Sequence, residues 1–219
     1  LTGEVAEHYD IYYRLHVQEF GWLDWAKNGE ISGTEGYGYR VEAIEIVLVK
    51  KGEAAPGKTS VTYRQKPTVN YTANVESKGW MGTAGNGAIA GTSQQSLRME
   101  ALKVTIKNTG YTGGVEYRSH IQNKGWESTW KQNGEISGTT GQNLRLEAIQ
   151  VRLTGEVAEH YDIYYRLHVQ NFGWLDWAKN GEAAGSQGYG YRVEAIQIVL
   201  VSKNGNPPGS TTNPFKIKG

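Results

Sequence analysis

Four glutamates, Glu42, Glu100, Glu147 and Glu194, each stand two residues after an arginine (Arg40, Arg98, Arg145, Arg192) in the recurring pattern R-x-E-A-aliphatic. A carboxylate near a core edge is a candidate for acid–base work, and glycoside hydrolysis needs two carboxylates in contrasting surroundings. Equivalent positions of a repeat do not supply that contrast. Arginine and glutamate on one strand face form an ion pair, so the four pairs read as latches that satisfy buried polar groups. His16, His120 and His168 lie in a second pattern, R-x-H-x-Q, with one histidine per repeat and no further ligand at a suitable spacing. That argues against a metal site, and the polar row is expected to form a cross-strand hydrogen-bond ladder, with a ligand-facing row as the alternative. No nucleophile–base pair or phosphate-binding loop accompanies these groups, so we expect no catalysis and no cofactor.

The tryptophans suggest binding. Trp22, Trp80, Trp126 and Trp174 each follow a glycine at the same step of a repeat, which is the behaviour of a core plug. The second tryptophans behave differently: Trp25 and Trp177 lie three residues on, Trp130 lies four on, and Thr83 or Ala84 stands there in the remaining copy. A position that shifts and vanishes so freely is expected to be exposed. Beside each lies an Asn-Gly-Glu turn, contributing Asn28 and Glu30, Asn133 and Glu135, and Asn180 and Glu182. An indole stacks on the CH face of a pyranose while amides and carboxylates hold hydroxyls, so these residues are the candidate sugar site. Tyr37, Tyr39, Tyr189 and Tyr191, in the loops EGYGYR and QGYGYR, add aromatic surface. Trp and Tyr also dominate protein hot spots, so a protein receptor would suit the same surface.

The elements that must position these side chains are strands. The Gly-Trp pairs are separated by 58, 46 and 48 residues, giving four copies of one unit. Each copy runs from an alternating segment through Gly-Trp and an Asn-Gly turn to a final aliphatic strand, and Asn-Gly is a strong hairpin signal because both residues tolerate positive φ. In the final strand Ile44, Leu102, Ile149 and Ile196 share one parity with Ile46, Val104, Val151 and Ile198, which marks the core face. Residues 1–50 match residues 153–202 at all but seven positions, so the duplicated block is three units long with an offset of 152 residues. We therefore divide the chain into a single unit (1–50, the last third of a preceding triad), a linker (51–60), a triad (61–106, 107–153, 154–202) and a linker or tail (203–219), since both flanking stretches are rich in Pro, Gly, Ser and Thr. The expected fold is all-β, with triads closing around a pseudo-threefold axis as a β-prism, or alternatively as a β-trefoil. A lone unit cannot bury its apolar face alone, so the first unit is expected to pack elsewhere or to join a homo-oligomer.

Composition excludes several classes. Among 219 residues, 23 Lys and Arg balance 22 Asp and Glu, so no strong field draws the chain to nucleic acid. No apolar run approaches a membrane-spanning length, so membrane insertion is not expected. Gly 29, Tyr 14 and Trp 7 suit short strands and tight turns, and zero Cys rules out disulfides and thiolate chemistry. The chain starts at Leu1, without methionine or a basic leader, and is expected to be a fragment or a processed product.

The combination H-x-Q-x-x-G-W, N-G-E, S-G-T-x-G and R-x-E-A-I resembles the clostridial hydrophobic repeats with a central tryptophan, the ChW repeats. The resemblance covers all four units; the second departs from it, with Asn74 for His, Glu76 for Gln and Ala88 for Glu. It implies a secreted or cell-surface module of a clostridium or a related bacterium, without catalytic residues, that binds glycan or cell-wall polysaccharide multivalently. The rival expectation is a structural protein whose unpaired unit docks on a neighbouring molecule.

Overall fold

Each repeat folds its two alternating segments into one long antiparallel pair: Tyr9–Val17 with Val41–Lys50, Thr68–Val75 with Met99–Lys107, Gly114–Ile121 with Leu146–Thr154, and Tyr161–Val169 with Val193–Ser202. Between the long strands the chain doubles back. The Gly-Trp step pairs on the end of the first strand, and a second short strand leads into the Asn-Gly turn. There the asparagines take φ of 48°, 32°, 30° and 45° and the glycines 94°, 88°, 93° and 98°, the paired left-handed conformations that a two-residue hairpin turn requires. The computed structural model describes residues 1–219; it is all-β apart from the single helical turns Val5–His8 and Val157–His160, and no helix is long and apolar enough to cross a membrane.

The chain forms two compact units, Leu1–Lys66 and Pro67–Gly219. In the second, three repeats are joined by strand exchange. Ala90–Gly91 of the second repeat adds to the last strand of the fourth, Ser137–Gly138 of the third adds to that of the second, and Ala184–Gln187 of the fourth adds to that of the third. The exchange returns to its starting point, so the three sheets form a closed cycle of separate sheets, with no single barrel. One core runs through all three, with Tyr71, Tyr117, Tyr165, Leu102, Ile149 and Ile196 almost fully buried. Each central tyrosine donates its hydroxyl to a backbone carbonyl beyond the Asn-Gly turn, of Ala88, Glu135 or Glu182, which satisfies the one polar atom these rings carry inward.

The exchange depends on glycine. A Cβ on Gly91, Gly138 or Gly185 would lie 2.4, 2.4 or 2.5 Å from a carbonyl oxygen of the receiving strand, so only a residue without a side chain lets the backbones meet.

The stretches expected to be linkers are structural parts. Residues 51–66 run back over the first repeat, where the Trp25 amide donates to the Lys58 carbonyl, Asp24 accepts from Ser60 Oγ and the Val61 amide at 2.8 and 2.9 Å, and Tyr63–Gln65 forms a parallel pair with Gly33–Glu35. Residues 203–219 repeat this over the fourth repeat, with Trp177 bonded to Ser210, Asp176 to Ser210 and Asn213, and Phe215–Ile217 paired on Ala184–Gln187. Composition reads such Pro-Gly stretches as free chain, but here Pro-Gly turns a strap across an indole.

Lys203, at the start of the second strap, helps to hold Asp162. This carboxylate is almost wholly buried, with Asn180 Nδ2 at 2.7 Å and the ammonium groups of Lys179 and Lys203 each at 3.0 Å. Burial alone would raise its pKa, but the Asn180, Lys179 and Lys203 contacts outweigh that and hold it at about 2, below the ordinary 3.8. A depressed carboxylate contributes stability that is complete above its unfolded pKa and disappears as the pH falls through its folded one. Asp162→Asn is therefore expected to lower the urea midpoint at pH 6, with the gap to wild type closing between pH 4 and pH 2; an unchanging gap would mean that the charge is irrelevant.

Candidate functional site

Strand alternation places arginine and histidine on the face away from the core in the first strand of three repeats, and both meet tryptophan there. Arg14 lies between two indoles, 4.8 Å from the ring of Trp22 and 4.7 Å from that of Trp25, and its Nε bonds Glu45 across the hairpin at 2.6 Å. Arg166 sits 5.0 and 4.8 Å from Trp174 and Trp177 and bonds Gln197 at 2.8 Å. Arg118 sits 5.4 and 4.9 Å from Trp126 and Trp130 and bonds Gln150 at 2.7 Å, while Arg152 covers Trp130 at 4.0 Å. These are cation–π stacks anchored by the expected cross-strand ladder.

In the first and fourth repeats the two tryptophans of the stack have the opposite environments from those the sequence suggests. Trp25 and Trp177 are each only 6 % exposed, whereas Trp22 is 39 % exposed and Trp80, Trp126 and Trp174 are half-buried. The straps are the cause: a Cβ on Gly57 would lie 3.0 Å from Trp25 Nε1, and one on Gly209 would lie 3.1 Å from Trp177 Nε1. Trp130 has no strap and stays half-buried beneath its arginines. The central tryptophans thus form the accessible aromatic surface, and Trp25 and Trp177 are packing residues.

The expected polar partners are also occupied. Asn28, Asn133 and Asn180 accept the amides of Ile11, Val115 and Ile163 through Oδ1, and Glu30, Glu135 and Glu182 accept those of Lys27, Gln132 and Lys179 at 2.8, 2.7 and 3.0 Å. The asparagines fasten the Asn-Gly turn to the first strand, and the glutamates close the turn on the short strand that enters it. Tyr37 and Tyr39 stack at 5.3 Å against Phe20, and Tyr189 and Tyr191 at 5.5 Å against Phe172. All four tyrosines are half-buried, with part of each ring accessible.

Behind Trp22, Trp126 and Trp174 runs a chain of paired side chains that the sequence shows only in pieces. His16, His120 and His168 meet Trp22, Trp126 and Trp174 edge-on at 5.3, 5.4 and 5.4 Å. Their Nδ1 atoms lie 3.1, 3.1 and 3.0 Å from Glu42, Glu147 and Glu194, which in turn pair with Arg40, Arg145 and Arg192. Burial alone would raise Glu147, but the His120 ring and the Arg145 guanidinium outweigh it and hold the carboxyl below its ordinary range. The second repeat has Asn74 in place of the histidine and covers Trp80 with Lys103 at 4.5 Å.

Two concave sites border these residues. In the three-repeat unit, Arg98, Arg145 and Arg192 converge with Glu76, Gln122 and Gln170 on a polar cleft of about 320 Å³. Each arginine is paired to its own glutamate, and Glu76 takes a second bond from Arg98. The four carboxylates outnumber the three guanidinium groups by one, so this cleft is no anion trap. The other, of about 390 Å³, opens beside Trp126 and is rimmed by Lys124, Glu127, Thr139 and Gln142. Glu127 is fixed there by Ser119, Ser137 and the Gly138 amide, replacing the buried leucine that the first and fourth repeats carry as Leu23 and Leu175. An indole beside a polar rim can stack an apolar face and bond hydroxyls around it.

No curated protein and no solved structure matches the chain. The family model described as Clostridial hydrophobic W (ChW) matches residues 16–50, 74–108, 120–155 and 168–202. Each match takes in a Gly-Trp step, an Asn-Gly turn and a final R-x-E-A strand, and together they span more than half of the sequence, so this chain belongs to the Clostridial hydrophobic W repeat family.

Proposed function

We propose that the chain is a non-catalytic, multivalent glycan-binding module of a secreted or surface protein, with cell-wall polysaccharide as the ligand class and the central tryptophans as its stacking platforms. The observation that carries this reading is the position of Trp22, Trp126 and Trp174: each stays accessible while arginine and histidine fix its ring. An indole already immobilised loses little conformational freedom on stacking a sugar ring. Weak sites on one chain reinforce each other through avidity, by about 10²-fold or more when geometry allows simultaneous contact.

The test is a glycan array and a purified cell-wall pull-down with wild type and with Trp22→Ala, Trp126→Ala and Trp174→Ala combined. Wild type is expected to be retained on at least one polysaccharide. The triple variant should be lost from it while melting within a few degrees of wild type, because these rings are only partly buried. Failure of wild type to bind any glycan, or equal retention of the variant, defeats the proposal.

A further inference from the structure

The two halves of the joint that closes the three-repeat cycle are both present in residues Leu1–Lys66, and both lack a partner there. The receiving half is the strand Val41–Lys50. Val41, Ile44, Ile46 and Leu48 are 54, 56, 58 and 53 % exposed, while their counterparts Val193, Ile196 and Ile198 are fully buried and Leu200 is half-buried. Val193–Ser202 pairs with Tyr161–Val169 on one side and Ala90–Gly91 on the other; Val41–Lys50 pairs only with Tyr9–Val17.

The donating half is the strand Gly33–Glu35. Its counterpart Ala184–Gln187 lies between the strap and the last strand of the third repeat, but Gly33–Glu35 pairs with its strap alone. Gly33 keeps φ of 119°, like Gly91, Gly138 and Gly185 at 99°, 100° and 113°. Those three face backbone closer than 3 Å to an added Cβ; Gly33 faces only Leu15 Cδ1, at 3.3 Å. Its backbone therefore has the shape of a joint that the single chain does not make.

We propose that three copies of this chain close a second ring through their first repeats, each donating Ser32–Gly33 to the Val41–Lys50 strand of the next. The occupant follows from the interface itself. One surface donates and a different one receives, so the contact is heterologous, and the same contact in Pro67–Gly219 closes at three. The residues match as well: Ser137–Gly138 docks on Glu100-Ala101-Leu102, with Gly138 opposite Ala101 and Ser137 opposite Leu102. Ser32–Gly33 would meet Glu42-Ala43-Ile44 of the next copy in the same register. Two bonds are expected beside it, from the Gly29 amide to the Ile46 carbonyl and from the Thr34 amide to the Glu42 carbonyl. They correspond to Gly87→Ile198 and Thr92→Glu194, at 2.7 and 2.8 Å. Insertion of the first repeat into another chain's existing ring would displace a fourth repeat that makes equivalent contacts, and so gains nothing.

Sedimentation velocity and native mass spectrometry of the intact chain, from micromolar to submillimolar concentration, test the proposal. The expected result is a species of three times the 24.2 kDa chain mass that increases with concentration without larger species beyond it. Gly33→Val and the double variant Ile44→Lys/Ile46→Glu are expected to stay monomeric with an unchanged β circular-dichroism spectrum, because Ile44 and Ile46 are exposed in the single chain and a side chain at Gly33 meets only Leu15 there. Trp22→Ala should still form the trimer, which separates assembly from glycan binding. A chain that is monomeric throughout overturns the proposal and leaves the face to repeats outside residues 1–219. Open-ended growth, or trimers that survive Gly33→Val, also overturn it.

Discussion

Replacing Gly138 by valine is expected to open the three-repeat cycle. The new Cβ would stand 2.4 Å from the Glu100 carbonyl oxygen and 2.8 Å from Ala101 Cα, on a residue whose φ is 100°. Left-handed backbone costs about 1–2 kcal/mol for a residue with a side chain, and the clash forces the exchanged strand off its partner as well. Withdrawal of Ser137–Gly138 uncovers Leu102 and Leu146, both fully buried. We expect a loss of about 4 kcal/mol or more, a large part of the 5–15 kcal/mol available to an ordinary domain. Urea titration followed by tryptophan fluorescence would show it. Gly33→Val supplies the internal comparison, because a side chain there meets only Leu15 and should cost the backbone term of about 1–2 kcal/mol. Equal losses for the two variants would mean that strand exchange contributes little to stability.

Trp177→Ala is the second large effect. The indole is 6 % exposed, stacks on Arg166 and lies under Gly209 of the strap. Truncating a buried aromatic of this size costs about 3–5 kcal/mol, which lowers the melting temperature by roughly 10 °C in a unit of this size. The strap should also loosen, and limited proteolysis within 203–219 would detect that. Trp174→Ala, three positions away, should cost about 1 kcal/mol, since a half-exposed ring has less burial to lose. If Trp174→Ala is the more damaging of the two, the assignment of packing and surface roles is reversed.

The exchange of roles between the two tryptophans shows where the sequence could be read and where it could not. The hairpins, the Asn-Gly turns, the Arg–Glu latches and the core parity of Ile149 and Ile196 are local or periodic features, and strand alternation makes them visible in one dimension. The environment of Trp25 and Trp177 is set by residues more than thirty positions downstream. Nothing near those tryptophans announces the strap. Their irregular spacing across the repeats suggested exposure, but it reflects a second layer present in two repeats and missing in the others. One signal was available: the 152-residue similarity continues past residue 50, in Pro56-Gly57 and Pro208-Gly209, Thr59 and Thr211, Tyr63 and Phe215, and Lys66 and Lys218. Asn28 and Glu30 teach a related lesson. A residue type suited to holding a hydroxyl is equally suited to holding the backbone of its own turn, and only the positions of Ile11 and Lys27 decide between them.

The straps also set the step by which such a chain can be copied. Gene duplication that added one repeat would add a donor and a receiver that the closed cycle has no place for. It would also leave a tryptophan uncovered unless a strap came with it. Copying three repeats together with a strap adds a cycle with every joint filled and every strap in place. The 152-residue offset between the first and fourth repeats, with the strap included at both ends, is the mark of that larger step. For this architecture the heritable building block is the cassette, and the tryptophan repeat is only its subdivision.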